Sequence, residues 1–132
     1  MPQPYIDVTG ATAYREATGE GSFSDPYIPR FSVTQTFAAT STLTSVASSA
    51  TSVTLLAANN NRKVIIILND SSSDLYIALS SSAASTTNYS IFLAGKVGNT
   101  PSFTSFSGED YSGQITGIWT SASGSARITE TS

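Results

Sequence analysis

The chain has 132 residues, a net charge of −3 and only 11% charged residues, while serine and threonine make up about a third of it. No basic cluster exceeds the pair Arg62-Lys63, which argues against nucleic-acid binding by phosphate neutralisation and against a polybasic membrane anchor. Histidine and cysteine are both absent, which removes the usual general base, the usual zinc ligand, disulfides and every Ser-His-Asp arrangement.

Three zones follow in chain order. Residues 1–33 hold four of the five prolines and read as an extended N-terminal arm, because proline fixes φ and removes a donor. The opening "MPQPYIDVTG" has neither a basic nor an apolar leader region and is expected to lack a signal peptide. The arm's apolar residues are spread without a period. Ordering such a backbone costs more than burying these side chains returns, so the arm is expected to pair with a sheet edge or a partner. Tyr5, Tyr14, Phe23, Tyr27, Ile28 and Phe31 are the expected partner-binding residues.

Residues 34–51, "TQTFAATSTLTSVASSAT", form a Ser/Thr/Ala-rich linker or edge strand. Residues 52–132 read as strands. "SVTLLAA", "KVIIILN", "DLYIALS", "NYSIFLA", "PSFTSF", "GQITGIWTS" and "SARITET" lie about 8–15 residues apart between Asn, Asp, Gly and Ser turns. That spacing predicts an all-β fold of about seven strands, an antiparallel β-sandwich or small barrel. Gly124 is available for positive φ in the tight connection before the last strand. Val64, Ile66 and Leu68 point to one face of a strand and Ile65 and Ile67 to the other, so both faces are apolar. The second face needs a cover: the arm, the Ser/Thr/Ala segment or a second copy.

Carboxylates are the only catalytic candidates. Asp70 with Asp74, and Glu109 with Asp110, fit turn capping better than a glycosidase pair or a calcium site, and EF-hand spacing is absent. No Gly-x-Ser-x-Gly elbow or phosphate-binding glycine loop is present. The chain is therefore read as non-enzymatic, with no cofactor or metal. Trp119 fits a core or interface anchor better than a sugar platform; Tyr76, Tyr89 and Tyr111 share that ambiguity. Asn69 and Asn88 match glycosylation sequons, which arise by chance in a serine-rich chain. Arg127 is expected to form a structural ion pair with Glu130 or Glu109.

"TSVTLLAANNNRKVIIILND", "LYIALSSSAASTTNYSIFL" and "YSGQITGIWTSASGSARITE" resemble a small β domain of structural proteins from tailed bacteriophages. The resemblance covers about 80 residues, Thr51 to Glu130. The most recognisable pieces are Leu56-Ala-Ala-Asn, Arg62-Lys63, Leu75-Tyr76-Ile77, Gly117-Ile118-Trp119 and Ala126 to Glu130. This chain departs from the pattern at "AGKVGNTPSFTSFSGED", where relatives carry a shorter Gly/Pro-rich connection. In the arm, "GEGSFSDPYIPRF" is similar to N-terminal segments of head and tail accessory proteins. The resemblance implies a virion component without catalysis and carries over no site residue. The leading expectation is a capsid decoration (cement) protein, a homotrimer contacting other virion proteins in capsid, neck or tail. The alternatives are a tail, neck or baseplate fibre or adaptor, and a carbohydrate- or receptor-binding module using Trp119 or Tyr111.

Overall fold

The structure, a computed structural model, describes residues 36–132 and, before them, the backbone of two short strands, β1 (Ala17–Thr18) and β2 (Ile28–Pro29). These two pair antiparallel, Ala17 opposite Pro29 and Thr18 opposite Ile28. The chain falls into two units divided between Thr36 and Phe37.

The second unit is all-β. Eight strands follow in order: β3 (Ser41–Ala47), β4 (Val53–Leu56), β5 (Val64–Ser71), β6 (Leu75–Ala78), β7 (Ile91–Leu93), β8 (Ser102–Ser107), β9 (Ile115–Trp119) and β10 (Gly124–Thr131). They form two four-stranded antiparallel sheets. The larger has the order β3-β10-β5-β8 and the smaller β4-β9-β6-β7. Two open sheets packed face to face make a sandwich, not a barrel. The Ser/Thr/Ala segment supplies β3 at the edge of the larger sheet, all seven residues in register with β10. It extends that sheet sideways and does not lie over it. "PSFTSF" becomes β8, the opposite edge, in register with β5.

Alternation sets the core. Ile65 and Ile67 of β5 and Ala126 and Ile128 of β10 point inward from the larger sheet. Leu75, Ile77, Leu93, Ile115 and Trp119 meet them from the smaller, each aliphatic contributing roughly 1.5–3 kcal/mol on burial. β4 breaks the alternation: a register shift between Thr54 and Leu56 puts both Leu55 and Leu56 inside.

Two buried polar groups fix the sheets to each other and to their loops. Asn69 faces inward from β5 and is fully buried. Its Oδ1 accepts from Trp119 Nε1 at 3.0 Å, and its Nδ2 donates to the carbonyls of Ser73, Leu93 and Ala94. Arg62, also buried, donates to Glu130 at 2.6 Å and to the carbonyls of Ala57, Tyr111 and Gly113. It thereby holds two loops against β10. Gly124 enters β10 at φ 103°, where a Cβ would also lie 2.6 Å from the Asp70 carbonyl oxygen. Only glycine combines that backbone angle with that approach.

Candidate functional site

Three of the four candidate carboxylates are engaged by the fold, and Glu109 is exposed. Asp70 bridges Lys96 Nζ at 2.7 Å and Arg127 Nε at 3.3 Å. The Lys96 ammonium, hydrogen-bonded to Asp70, holds its carboxyl below the usual carboxylate range, and Arg127 adds to the effect. Asp74 accepts from the Gly95 amide at 2.8 Å, and Asp110 from the Ser107 amide at 3.3 Å. Asp70 and Asp74 therefore serve different partners, and Asp110 caps a turn; Asp70 lies within β5 on its outer face, which corrects its expected turn role. Among the described residues, no three or more Asp or Glu side chains group as metal ligands.

Arg127 pairs with Asp70, which corrects the expected pairing with Glu130 or Glu109. Glu130 instead belongs to Arg62. The cause is strand geometry. Arg127 points to the outer face of the larger sheet, as Asp70 does, whereas Glu130 sits on the inner-face row of Ile65 and Phe106.

The aromatics sort by face. Trp119 is 1% exposed and is a core residue. Tyr111 packs against the core and donates its hydroxyl to the Gln114 carbonyl at 2.9 Å. The Trp119 ring is closed to a sugar, whereas Tyr111 is partly exposed with its hydroxyl engaged. Tyr76 points outward from β6 and packs against Tyr89 and Phe92 at ring-centroid distances of 4.9 and 5.2 Å. Tyr89 and Phe92 are exposed, and Ile118 lies opposite Tyr76 on β9. The rings meet edge-on or tilted, at 72° and 60°, so they form a ridge and not a flat stacking surface. Asn69 is buried with its amide fully engaged and is closed to glycosylation in the folded chain. Asn88 lies exposed in a turn closed by Ser85.

The outer face of the larger sheet carries the more extended apolar surface. Register places Leu43, Thr129, Ile66 and Ser105 in one row across the four strands. Ser45, Arg127, Leu68 and Phe103 form the next row, and Ser41, Thr131, Val64 and Ser107 the row on the other side. Leu43 is 81% exposed, Phe103 66% and Ile66 40%, with Val64 beside them. A hollow of about 240 Å³ lies between β3 and β10, lined by Leu43, Thr44, Ser45, Arg127, Ile128 and Thr129. It is smaller than the roughly 300–1,000 Å³ of small-molecule sites, and Arg127, the one charged group in its lining, is paired with Asp70. The surface suits a macromolecular contact instead.

Of the expected partner-binding residues, Tyr5, Tyr14, Phe23, Tyr27 and Phe31 lie outside the described residues, and Ile28 is described only as backbone in β2. Leu43, Phe92 and Phe103 were not singled out from the sequence as contact residues. The signal was present in β5, where two apolar faces imply an uncovered one, and cross-strand pairing brings Leu43 and Phe103 onto it.

Comparison with protein-family models, with curated proteins and with solved structures finds no match.

Proposed function

We propose that the chain is a non-enzymatic structural protein of a bacteriophage virion, of the capsid-decoration type, whose sandwich joins neighbouring subunits. One observation carries this reading: both outer faces of the sandwich present exposed apolar side chains. Leu43, Val64, Ile66 and Phe103 lie on one face and Tyr89 and Phe92 on the other. Contiguous exposed apolar surface marks contact sites, and two opposed faces suit a bridging element. Asp70, Asp74 and Asp110 support the same view, because their carboxylates are engaged by neighbouring groups of the fold. The virion setting comes from the sequence resemblance over Thr51–Glu130.

In this reading the arm docks on a neighbouring virion protein through Tyr5, Tyr14, Phe23, Tyr27, Ile28 and Phe31. Deleting residues 1–31 is expected to abolish incorporation into particles while the sandwich stays folded, with Trp119 emission still blue. Normal incorporation of the truncated protein overturns the arm's role. Labelled imaging of purified particles separates a capsid position from a neck, tail or baseplate one.

A further inference from the structure

We infer that the free edge of β3 is a self-association site. On it, β3 of a second copy pairs antiparallel about a two-fold axis at Thr44, and the two four-stranded sheets become one continuous sheet. The inference rests on strand geometry and is independent of the virion reading.

Strand parity fixes which backbone groups are free. Thr40 and Ser132 exchange both amide–carbonyl bonds, at 2.9 and 3.1 Å, and the Ser48 amide donates to the Gly124 carbonyl at 3.0 Å. In the register of β3 with β10, the bonded positions are therefore Thr40, Thr42, Thr44, Val46 and Ser48. The amides and carbonyls of Ser41, Leu43, Ser45 and Ala47 point away from β10, and among the described residues none of them has a partner.

The other three sheet edges are blunted. β4 has four residues and a register shift, and β7 has three residues. β8 has six, but the Ser107 amide donates to the Asp110 carboxylate at 3.3 Å and the Ser107 carbonyl accepts from the Asp110 amide at 3.1 Å. Pro101 stands just before it. Short strands, bulges, prolines and capped ends are the devices by which sheets avoid edge-to-edge pairing. β3 has none of them. "STLTSVA" contains no charge, proline or glycine, and all seven residues are in register with β10.

A second β3 satisfies this edge completely. About a two-fold axis at Thr44, Ser41 lies opposite Ala47 of the second copy and Leu43 opposite its Ser45, so every free amide and carbonyl of both strands is bonded. Thr44 faces its own symmetry mate and Thr42 faces Val46, both favourable β-branched pairs, and no like charges meet. Leu43, 81% exposed in the single chain, gains its symmetry mate as a diagonal neighbour. There is room for the approach. Thr42 and Thr44 belong to the inner-face row yet are exposed, so β3 stands clear of the smaller sheet and two copies meet without their smaller sheets colliding. The pairing is isologous and closes at two copies, because the blunted β8 edge at the far side of each sheet offers no continuation. One pair of strands buries less than a standard interface, so a weak dimer with a dissociation constant in the micromolar range or above is expected.

The test is sedimentation velocity of the full chain up to millimolar concentration, where a concentration-dependent monomer–dimer equilibrium is expected. Thr44→Lys and Thr44→Glu each set like charges opposite each other at the axis and are each expected to weaken association about tenfold. Mixed in equal amounts, the two variants are expected to associate about as tightly as the unaltered chain, because opposite charges then face each other. Ser45→Pro removes an edge-directed amide that β10 does not use and is expected to give a monomer, while Ser45→Ala leaves the dimer unchanged. The blue emission of buried Trp119 reports that each variant is folded. A chain that is monomeric at all concentrations, a trimer, a dimer indifferent to Ser45→Pro, or Thr44→Lys and Thr44→Glu chains that do not recover on mixing overturns the inference. A monomer gives the edge to another strand and leaves the virion reading standing, since incorporation into particles tests that separately.

Discussion

Asn69 uses every hydrogen-bonding group of its side chain inside the sandwich, and its isostere is the sharpest probe of that role. Asn69→Asp keeps an acceptor for Trp119 Nε1 but turns a carboxyl group toward the carbonyls of Ser73, Leu93 and Ala94. Loss of the donors is expected to cost about 2–4 kcal/mol at neutral pH, read from urea unfolding, since each unsatisfied buried group costs roughly 1–3 kcal/mol. Arg62→Met leaves Glu130 mostly buried with only the Asn59 amide as a partner and frees the carbonyls of Ala57, Tyr111 and Gly113. A loss of about 3–5 kcal/mol is expected, and adding Glu130→Gln should recover part of it, because the cost lies in the uncompensated charge. Asp70 differs, being a surface group. Its carboxyl is lowered in the folded chain, so the stability it lends is complete above the unfolded value near 3.9 and is lost as pH falls through the lower folded value. Asp70→Asn is expected to lower the neutral plateau of a melting-temperature profile slightly and to leave the most acidic values unchanged, so that the acid limb is flatter. A large drop at neutral pH would show that the Lys96–Asp70–Arg127 bridge is structural, not a screened surface pair.

At the scale of the element, most strands were legible because one face of each is buried and the period of two survives in the sequence. β5 and β6 show it plainly in Ile65, Ile67, Leu75 and Ile77. β3 does not. Its seven residues are almost wholly exposed, so no burial pattern marks it, and it is a strand because β10 offers a complete ladder beside it. Arg62 was illegible for a related reason: nothing local distinguishes an arginine that solvates from one that carbonyls of distant loops enclose. Trp119 and the turn role of Asp110 could be read, since a lone tryptophan on an alternating strand and Asp beside Ser and Gly have strong local precedents, whereas Asp70 lies within β5 and pairs with Lys96 and Arg127 through cross-strand and loop neighbours that no local pattern shows. Gly117 shows how tightly β9 fits between its neighbours. A Cβ there would sit 2.7 Å from Leu55 Cδ1 and 3.1 Å from Leu75 Cδ1. Gly117→Ala is expected to destabilise by about 1–3 kcal/mol through overpacking, measured by chemical unfolding. Pairing it with Leu55→Ala should recover part of the loss.

For the molecule as a whole, an enclosed tryptophan and two uncovered apolar faces make separate statements to a spectroscopist. Trp119 is hydrogen-bonded and buried, so soluble glycans are expected to leave its emission unmoved; a ligand-dependent shift would revive a binding-groove reading. The uncovered faces are expected to bind an apolar dye in the isolated chain and to lose that binding in assembled particles. Strand order adds a consequence for biosynthesis. β10, the last strand, lies between β3 and β5 and pairs with both, so these two never touch as neighbours until it arrives. While β10 is still in the ribosome, the larger sheet has a gap at its middle, and β5 waits with apolar side chains on both faces. Completion of the larger sheet then waits for the synthesis of β10. A chain that stops anywhere before Gly124 is expected to form not a smaller sandwich but a sticky, proteolysis-prone polypeptide, checked by limited proteolysis of that truncation.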